Sequence, residues 1–482
     1  MNWRIIAYVD GIVLIIIGIF MIIPLLVSLL YWGSDQYAFL LTCIFTFGAG
    51  FALVLPNRKR KREDLRHREG FFAVTTSWLL VSLFGALPYL IEGTFGSFTD
   101  AFFEAMAGFT TTGASVLNDI ESQHHGILFW RSLTQWLGGM GIVLFSLAVL
   151  PMLGAGGMQL FKAEVPEITV DKLRPRIVDT AKSLWYIYTG LTTICALLYM
   201  LGGMSLFDAV NHAFTTLATG GFSTKNTSMA FYDSAYIQLV ATLFMFLAGV
   251  NYTLFFYAFK GKFVKFRDNT EFRFYLSVTL IATFLITVDL WKDNYHSLFD
   301  SFKHGIFQVV SVMTTTGFAT ADYEQWSPFA RFAIITLMFF GGMIGSTGGG
   351  MKQIRILVMI KQIYREIYQL IHPRAVTFLK VDGKNMTKEI LGSIWGFLFL
   401  FLIICVLSTL GMTAMGIDIE TSFSTVVSAI CNVGPALGLA GPAENYALLP
   451  QGAKWILIFC MLVGRLEVYT VIILFVPNFW KK

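Results

Sequence analysis

Four stretches of similar sequence recur along this 482-residue chain: FFEAMAGFTTTGA at residues 102–114, VNHAFTTLATGGF at 210–222, FQVVSVMTTTGFA at 307–319 and STVVSAICNVGPA at 424–436. The residues before the aligned glycines are also alike: Thr112 before Gly113, Thr219 before Gly220, Thr316 before Gly317 and Val433 before Gly434. The motifs lie about a hundred residues apart, and a recurrence at fixed spacing predicts one structural unit used four times.

Long apolar blocks flank each motif. The chain is 56% hydrophobic and 13% charged, with a mean hydropathy of +0.66, which is more apolar surface than one soluble core can bury. A helix of about 20 residues crosses the hydrocarbon layer of a membrane. Ten blocks reach about that length, at residues 6–32, 38–55, 71–91, 127–153, 183–204, 235–259, 273–291, 329–363, 390–416 and 453–476. The eighth block is long enough to form two half-helices.

Each motif contains an apolar run of about ten residues, which is too short to span a membrane. Such a run predicts a pore helix that enters the membrane and stops, followed by extended backbone. Extended backbone at membrane depth is tolerated only where protein or a water-filled cavity satisfies its carbonyls, so four such stretches predict a shared polar axis. Glycine allows successive carbonyls to face an ion that has shed its water. Oxygen ligands without fixed carboxylates suit a monovalent cation.

The predicted fold is therefore an all-α polytopic membrane protein with about ten spanning helices and four re-entrant pore helices. Each repeat is a helix, a pore helix and a second helix, and the four repeats surround a pseudo-fourfold pore made within one chain. Two extra transmembrane helices precede the first repeat. The predicted boundaries are 1–68 for these two helices and the basic loop, 69–180 for repeat 1, 181–270 for repeat 2, 271–386 for repeat 3 with a broken second helix, and 387–482 for repeat 4.

Basic residues mark every second loop. Arg58, Lys59, Arg60, Lys61 and Arg62 follow the second block, and an excess of Lys and Arg predicts the cytoplasmic side. Both termini are then cytoplasmic. This placement explains the net charge of +5 without a nucleic-acid partner. The intervening loops hold acids that include Asp100, Glu104 and Asp208. They are either ordinary solvated residues or a negative vestibule that concentrates cations.

A glycine cluster interrupts the eighth block: Gly345, Ser346, Thr347, Gly348, Gly349 and Gly350. Each glycine in a helix lowers helix stability by about 1 kcal/mol relative to alanine, so a structural or functional gain must offset this loss. Close helix packing through small residues is one explanation. A phosphate loop is another, but Met351 displaces the motif's lysine and no strand precedes it. A helix broken here leaves unpaired backbone groups, which again need protein or cavity water and so point to the axis.

Arg465 lies near the middle of the last apolar block. Placing an arginine at the centre of a membrane costs roughly 2.5 kcal/mol or more of insertion free energy, so the side chain needs a partner. Glu467 is two positions away and projects from a different helix face. A salt bridge to another helix is one interpretation. The other, which we prefer, is a pore-facing cation that forms an electrostatic barrier under the four motifs.

The four motifs, GGMIGSTGGGMKQIR at 341–355, HPRAV at 372–376 and GRLE at 464–467 closely resemble the Trk/Ktr/HKT superfamily. The two extra N-terminal helices resemble its bacterial TrkH and TrkG branch, and the resemblance covers essentially the whole chain. It implies a potassium uptake protein of the bacterial inner membrane with potassium ion as its cargo. It also implies a homodimer with one pore per subunit and a cytosolic, TrkA-like ring of RCK-type nucleotide-binding regulatory subunits. The glycine cluster becomes, by this resemblance, a mobile intramembrane gate.

The resemblance also assigns the selectivity filter: Thr111, Thr112 and Gly113; Ala218, Thr219 and Gly220; Thr315, Thr316 and Gly317; Asn432, Val433 and Gly434. Coordination is expected through backbone carbonyls. Glycine at all four aligned positions resembles the potassium-type filter, since relatives with serine at the first of them tend to favour sodium. The fourth loop departs most from the pattern, because Val433 offers an ion only its carbonyl.

Other function classes fit less well. No Ser/His/Asp set, HExxH motif or paired carboxylates occur at membrane depth, so an enzyme is not expected. His212 lies in a pore helix, where a packing role is expected. A symporter that couples potassium to protons or sodium needs titratable groups along the path, and Glu467 is the one candidate. A non-conducting scaffold does not explain four registered motifs. The basic segment 352–388 has two candidate partners, anionic lipid headgroups and a protein subunit.

Overall fold

Helices make up nearly all the regular structure of the computed structural model, which describes residues 1–58, 66–148, 173–375 and 377–481. In chain order they are α1 (Trp3–Leu30), α2 (Gln36–Asn57), α3 (His67–Glu92), α4 (Phe98–Phe109), α5 (His125–Ala148), α6 (Leu173–Leu201), α7 (Leu206–Leu217), α8 (Ala235–Ala248), α9 (Tyr252–Phe259), α10 (Val264–Asp268), α11 (Thr270–Asp293), α12 (Leu298–Met313), α13 (Pro328–Met338), α14 (Gln353–Ile371), α15 (Lys388–Thr413), α16 (Ile419–Cys431), α17 (Gln451–Arg465), α18 (Tyr469–Ile472) and α19 (Pro477–Trp480). Strands β1 (Lys380–Val381) and β2 (Lys384–Asn385) form a small antiparallel hairpin.

Six helices within the described residues are long and apolar enough to cross a membrane: Trp3–Leu30, Gln36–Asn57, His67–Glu92, Thr180–Leu201, Thr270–Asp293 and Lys388–Thr413. They expose large apolar side chains such as Leu26, Phe284 and Phe399. A soluble protein does not leave such rows exposed, whereas lipid accommodates them. The predicted all-α polytopic membrane fold is confirmed.

The eighth apolar block forms two helices, α13 and α14, joined by an intramembrane loop at residues 339–352. Two other blocks, expected to be continuous, are bent. α8 and α9 meet at 96°, and α17 meets the segment Tyr469–Phe475 at 111°. The expectation of two unbroken spans was wrong, because each bend depends on backbone conformation and on partners distant in the chain, which hydropathy does not report. At the second break Glu467 and Val468 have φ of 62° and 48°, which ends the helix.

The four pore helices found in the described residues are α4, α7, α12 and α16. Each begins with a side chain that accepts the backbone N–H three residues on: Ser97 from Asp100, Ser205 from Asp208, Ser297 from Asp300 and Asp418 from Thr421. These caps satisfy N–H groups that the first helical turn leaves free. The acids Asp100, Asp208 and Asp300 thus lie in first turns, where they also favour the positive end of the helix dipole.

The two N-terminal helices are tied to repeat 1 by buried carboxylates. Asp10 of α1 accepts hydrogen bonds from Thr76 (3.0 Å) and Ser77 (2.6 Å) of α3. Asp35 accepts the backbone N–H of Ile127 at 3.0 Å and so caps α5 from outside. The Asp10 contacts join α1 to α3, and the Asp35 contact positions α5, which carries polar side chains toward the centre of the molecule.

The chain termini meet at one end of the helical bundle. The rings of Trp3 and Trp480 stack with their centroids 6.3 Å apart, and Arg68 donates to the carbonyl of Lys481 at 2.7 Å. Both termini therefore lie on the same face of the protein, as the alternation of basic loops predicts.

Candidate functional site

The segments after the four pore helices share one backbone conformation. We call residues 110–116, 218–224, 314–320 and 431–437 pore loops 1 to 4. In each described loop two residues, two positions apart, have positive φ: Thr111 (51°) and Gly113 (77°), Thr219 (52°) and Gly221 (80°), Thr315 (61°) and Gly317 (81°), and Asn432 (56°) and Gly434 (104°). The intermediate residue donates its N–H to the carbonyl five residues earlier: Thr112 at 2.9 Å, Gly220 at 2.9 Å, Thr316 at 2.8 Å and Val433 at 2.9 Å.

This shared geometry corrects the alignment of pore loop 2 by one residue. The predicted triplet Ala218, Thr219 and Gly220 is out of register, because Gly221 and not Gly220 has the conformation of Gly113. Ala218 is the C-cap residue of its pore helix, as Thr110 is in repeat 1. The structure thus makes Thr219, Gly220 and Gly221 the residues of repeat 2 that are equivalent to the other three predicted triplets. A signal for this register exists in the sequence, since the Gly-Phe pair at 221–222 recurs at 317–318.

The four loops close into a ring. A Cβ atom added to any of the four loop glycines with positive φ would overlap a carbonyl oxygen of the next repeat: Gly113 on Gly220, Gly221 on Thr316, Gly317 on Val433 and Gly434 on Thr112. Because each loop lies against its neighbour in this cyclic order, the four loops surround a common axis. The tight backbone contact and the positive φ both require glycine at these positions.

The electrostatics of this ring favour a cation. The pore helices end at Phe109, Leu217, Met313 and Cys431, where the loops begin. Each helix therefore directs the negative end of its dipole at the ring. The predicted ligand side chains Thr111, Thr112, Thr219, Thr315, Thr316 and Asn432 are all at most 1% exposed. An ion in the ring would meet backbone and hydroxyl oxygens held by the protein.

Polar side chains of the pore helices form hydrogen bonds with the loop residues that follow the positive-φ glycines. Glu104 accepts the N–H of Val116 at 3.0 Å and the hydroxyl of Ser115 at 2.9 Å. His212, at the equivalent position of repeat 2, pairs with the hydroxyl of Ser223 at 2.9 Å. A packing role was expected for His212, and for Glu104 either an ordinary solvated position or a place in a negative vestibule. Both side chains are 0% exposed, and each contacts its own pore loop.

Repeats 3 and 4 repeat this support with other residues. With its amide oriented to satisfy its neighbours, Gln308 accepts the N–H of Thr320 at 3.3 Å and donates to Phe318 at 3.2 Å. In repeat 4, Ser424 accepts the N–H of Leu437 at 3.1 Å. Sequence comparison missed this layer because glutamate, histidine, glutamine and serine share no pattern.

On the outer side the ring opens into a cavity of about 90 Å³ that all four loop glycines line. The charged residues on its wall are Arg131, Lys225 and Glu444. Beyond it, the Asn226 amide donates to the Asp119 carboxylate at 3.1 Å, and this hydrogen bond lowers the pKa of Asp119. Of the outer acids named above, Asp100 and Asp208 lie in the first turns of pore helices and Glu104 pairs with Arg131, which favours structural roles for them over a dedicated vestibule.

The intramembrane loop lies against the inner end of the ring. Thr347 donates its hydroxyl to the carbonyls of Leu217 (3.0 Å) and Ala248 (3.2 Å) in repeat 2. The N–H of Gly349 donates to the Thr315 hydroxyl at 2.6 Å, and that of Gly350 to the Cys431 carbonyl at 2.9 Å. The segment Gly345 to Gly350 therefore contacts repeats 2, 3 and 4 directly below the pore loops.

Arg465 completes this arrangement. Its guanidinium donates to the carbonyl of Thr347 at 2.8 Å and to that of Gly138 in repeat 1 at 2.9 Å, and it is 2% exposed. The partners expected for this arginine are thus backbone carbonyls rather than a carboxylate. Glu467 instead forms an ion pair with Arg355. The structure places Arg465 at the C-terminal end of α17, beside the intramembrane loop.

One residue of this region was not anticipated. Glu271 is 1% exposed, and a single carboxylate oxygen accepts the N–H groups of Ile344 (2.9 Å) and Ile354 (3.1 Å), which lie on either side of the segment Gly345 to Gly350. Its sequence position gave no signal, because an acid in the first turn of a helix is ordinary.

Four pore loops around one axis, above a broken helix, define a multi-pass membrane protein with an ion pathway. Residues 36–482 match the family described as TrkH, cation transport protein. The chain is 42% identical to the Trk system potassium uptake protein TrkH of Halomonas elongata, with 100% of each chain covered, and 37% identical to TrkG of Escherichia coli, with 99% of each covered. It also matches the crystal structure of the potassium transporter TrkH from Vibrio parahaemolyticus at 39% identity, with a TM-score of 0.92 and 100% of each chain covered. The chain belongs to the TrkH family of cation transport proteins.

Proposed function

We propose that this chain carries potassium ions into the cell through the axis of the four pore loops, as a gated channel-like pathway in the bacterial inner membrane. The observation that carries the proposal is the closed ring of loops at the C-terminal ends of four pore helices. The relatives named as potassium uptake proteins support potassium as the cargo. Carbonyl oxygens that replace the water shell of an ion provide the selectivity.

The filter in this proposal consists of Thr111, Thr112 and Gly113; Thr219, Gly220 and Gly221; Thr315, Thr316 and Gly317; and Asn432, Val433 and Gly434. The gate consists of the segment Gly345 to Gly350 with Arg465. In the closed state the loop is held under the filter by its hydrogen bonds to Thr315, Cys431 and Leu217. Conduction then requires that this segment move aside.

Flux into proteoliposomes tests the function. The purified protein is reconstituted, and potassium entry down its own gradient is measured with and without an imposed pH or sodium gradient. We expect the same passive flux in both conditions. Flux that depends on the pH or sodium gradient would instead establish a symporter, and no flux under any condition would leave only the scaffold explanation.

The contacts of Glu271 on either side of the gate allow a sharper test of gating. Replacing Glu271 with glutamine weakens the acceptor that binds Ile344 and Ile354 on either side of the gate, so we expect potassium flux without a regulatory partner to rise about threefold, since weaker hydrogen bonds hold the gate less firmly. Flux per reconstituted protein is the measurement.

Glu69→Gln is the matched control for Glu271→Gln. Glu69 is also buried, at 6% exposed, and also accepts two backbone N–H groups, from Asn2 at 2.8 Å and Arg66 at 3.0 Å, but both of these partners lie outside the gate. Equal flux in the two variants would contradict a gating role for Glu271.

We further propose that a cytosolic nucleotide-binding subunit of the RCK type controls the gate and that the protein works as a homodimer. Helix α14, which follows the gate, supports a partner surface. Its exposed side chains include Ile360, Ile363, Tyr364 and Ile367, at 49–71%. A row of this kind on one helix face is typical of a docking surface or a lipid contact. If this face is a docking surface, the purified regulatory subunit should copurify with the wild-type protein and not with an Ile363→Asp variant.

A further inference from the structure

The residues just beyond the filter glycines are joined from repeat to repeat. Two positions after each glycine, a backbone carbonyl accepts a hydrogen bond from another repeat. Within the described residues the four bonds are Tyr446 N–H to Ser115 (2.9 Å), Arg131 guanidinium to Ser223 (3.1 Å), Ala230 N–H to Ala319 (3.0 Å) and Tyr323 hydroxyl to Ala436 (3.0 Å). We call this set the outer belt.

The outer belt is cyclic. Repeat 4 donates to repeat 1, repeat 1 to repeat 2, repeat 2 to repeat 3, and repeat 3 to repeat 4. The acceptor is the same structural position each time, but the donor differs, being a backbone N–H in two cases and a side chain in the other two. A chance set of loop contacts would not recur at one position in one direction, so the belt is a property of the assembled ring.

Arg131 is the charged donor of the belt, and it is held from several directions. Its guanidinium pairs with Glu104 at 2.8 Å, and the two side chains are 1% and 0% exposed. It also donates to the Ser115 hydroxyl at 3.2 Å and lies 4.2 Å above the centre of the Phe222 ring. Through Glu104 and Ser223 it therefore joins pore loops 1 and 2 with a buried, paired charge.

Gln135 extends this link one turn further along α5. Its amide donates to the carbonyl of Gly220 at 2.7 Å and accepts the N–H of Phe222 at 3.1 Å. Residues four apart on a helix lie on one face, so Arg131 and Gln135 together hold pore loop 2 at its filter residue and at its outer end.

Tyr323 is the neutral side-chain donor. It is 1% exposed and lies on a short helical turn, Tyr323–Gln325, in the outer loop of repeat 3. The adjacent Glu324 accepts the N–H of Gly438 in repeat 4. The same short turn thus contacts pore loop 4 at Ala436 and the chain directly after the loop at Gly438.

We propose that the outer belt sets the width of the filter, and that Arg131 and Tyr323 are positioning residues for the choice of potassium over sodium. This rests on the proposed potassium pathway. Sodium is the smaller ion and needs a carbonyl cage that can contract around it. A ring of loops tied to one another at their outer ends resists such contraction, whereas a ring with one tie removed does not.

Removing the Tyr323 hydroxyl is the least disruptive test. In Tyr323→Phe we expect the ratio of potassium to sodium flux in proteoliposomes to fall about threefold, with potassium flux itself retained, since a neutral hydrogen bond contributes modestly. In the double variant Arg131→Met with Glu104→Gln, which leaves no unpaired charge, we expect a fall of about tenfold, because the lost bond involves a charged donor.

Tyr275→Phe is the matched control. The Tyr275 hydroxyl is also fully buried and also donates across repeats to a backbone carbonyl, that of Phe246 at 3.1 Å, but outside the belt. A wild-type flux ratio in Tyr323→Phe, or an equal fall in Tyr275→Phe, overturns the proposal. If the double variant does not fold, as thermal unfolding would reveal, Tyr323→Phe decides alone. Absence of selective potassium flux in the wild-type protein would be a failure of the proposed function and not of the belt.

Discussion

Replacing Gly317 with alanine is expected to reduce potassium uptake at least tenfold while the protein still reaches the membrane. Gly317 has φ of 81°, a conformation that side chains rarely adopt, and a Cβ atom there would overlap the carbonyl oxygen of Val433 in the next repeat. The new methyl group must push two filter loops apart, and carbonyl ligands for an ion depend on their mutual spacing. Uptake by cells that depend on this protein for potassium measures the effect.

Gly392→Ala provides the control for this substitution. Gly392 lies inside helix α15, and a Cβ atom there meets no other atom within 4 Å. Alanine is also the better helix former, so normal uptake is expected. Normal uptake in Gly317→Ala, at an equal amount of membrane protein, would remove pore loop 3 from the ion pathway.

Replacing Arg465 with alanine is expected to raise potassium flux about tenfold in liposomes without a regulatory partner. The change removes a buried positive charge below the ring, where it repels a passing cation. It also removes the hydrogen bonds that join the Thr347 carbonyl of the gate to Gly138 of repeat 1. Both losses act in the same direction, because the barrier falls and the gate is held less firmly.

Two further variants separate these contributions. Arg465→Lys keeps the charge but cannot donate in the same two directions, so an intermediate flux is expected. Arg331→Ala removes an arginine that pairs with Glu420 and is 31% exposed, and it should leave flux unchanged. If Arg465→Ala conducts no faster than wild type at normal protein levels, Arg465 is a structural residue and not part of the gate.

The sequence predicted the membrane fold, the four pore helices and the interruption of the eighth block, because each depends on local composition. A short apolar run followed by Thr-Gly is visible without knowledge of its neighbours. The break between α13 and α14 was visible for a similar reason, since a cluster of glycines is improbable in a helix.

What the sequence did not predict depends on partners distant in the chain. The predicted triplet in pore loop 2 begins one residue early because Ala218-Thr219 resembles the Thr-Thr pair of the other loops. The repeated Gly-Phe pair is a weak signal for the correct register, and the contact with Thr316 of repeat 3 shows that Gly221 is the residue in the ring. The bend after Ala248 was not predicted, because the Ala248 carbonyl accepts a hydrogen bond from the Thr347 hydroxyl, about a hundred residues away. Glu271 and Arg131 likewise act through partners that no local pattern identifies.

The outer belt has a consequence for how this pore can change over generations. In a channel of four identical subunits, one codon alters every quarter at once, and most such changes are too large to survive. Here each quarter has its own codons, so the belt can hold an arginine in one junction, a tyrosine in another and plain backbone in the remaining two. A single substitution then adjusts one quarter of the ring, which makes ion preference a quantity that selection can move in small steps.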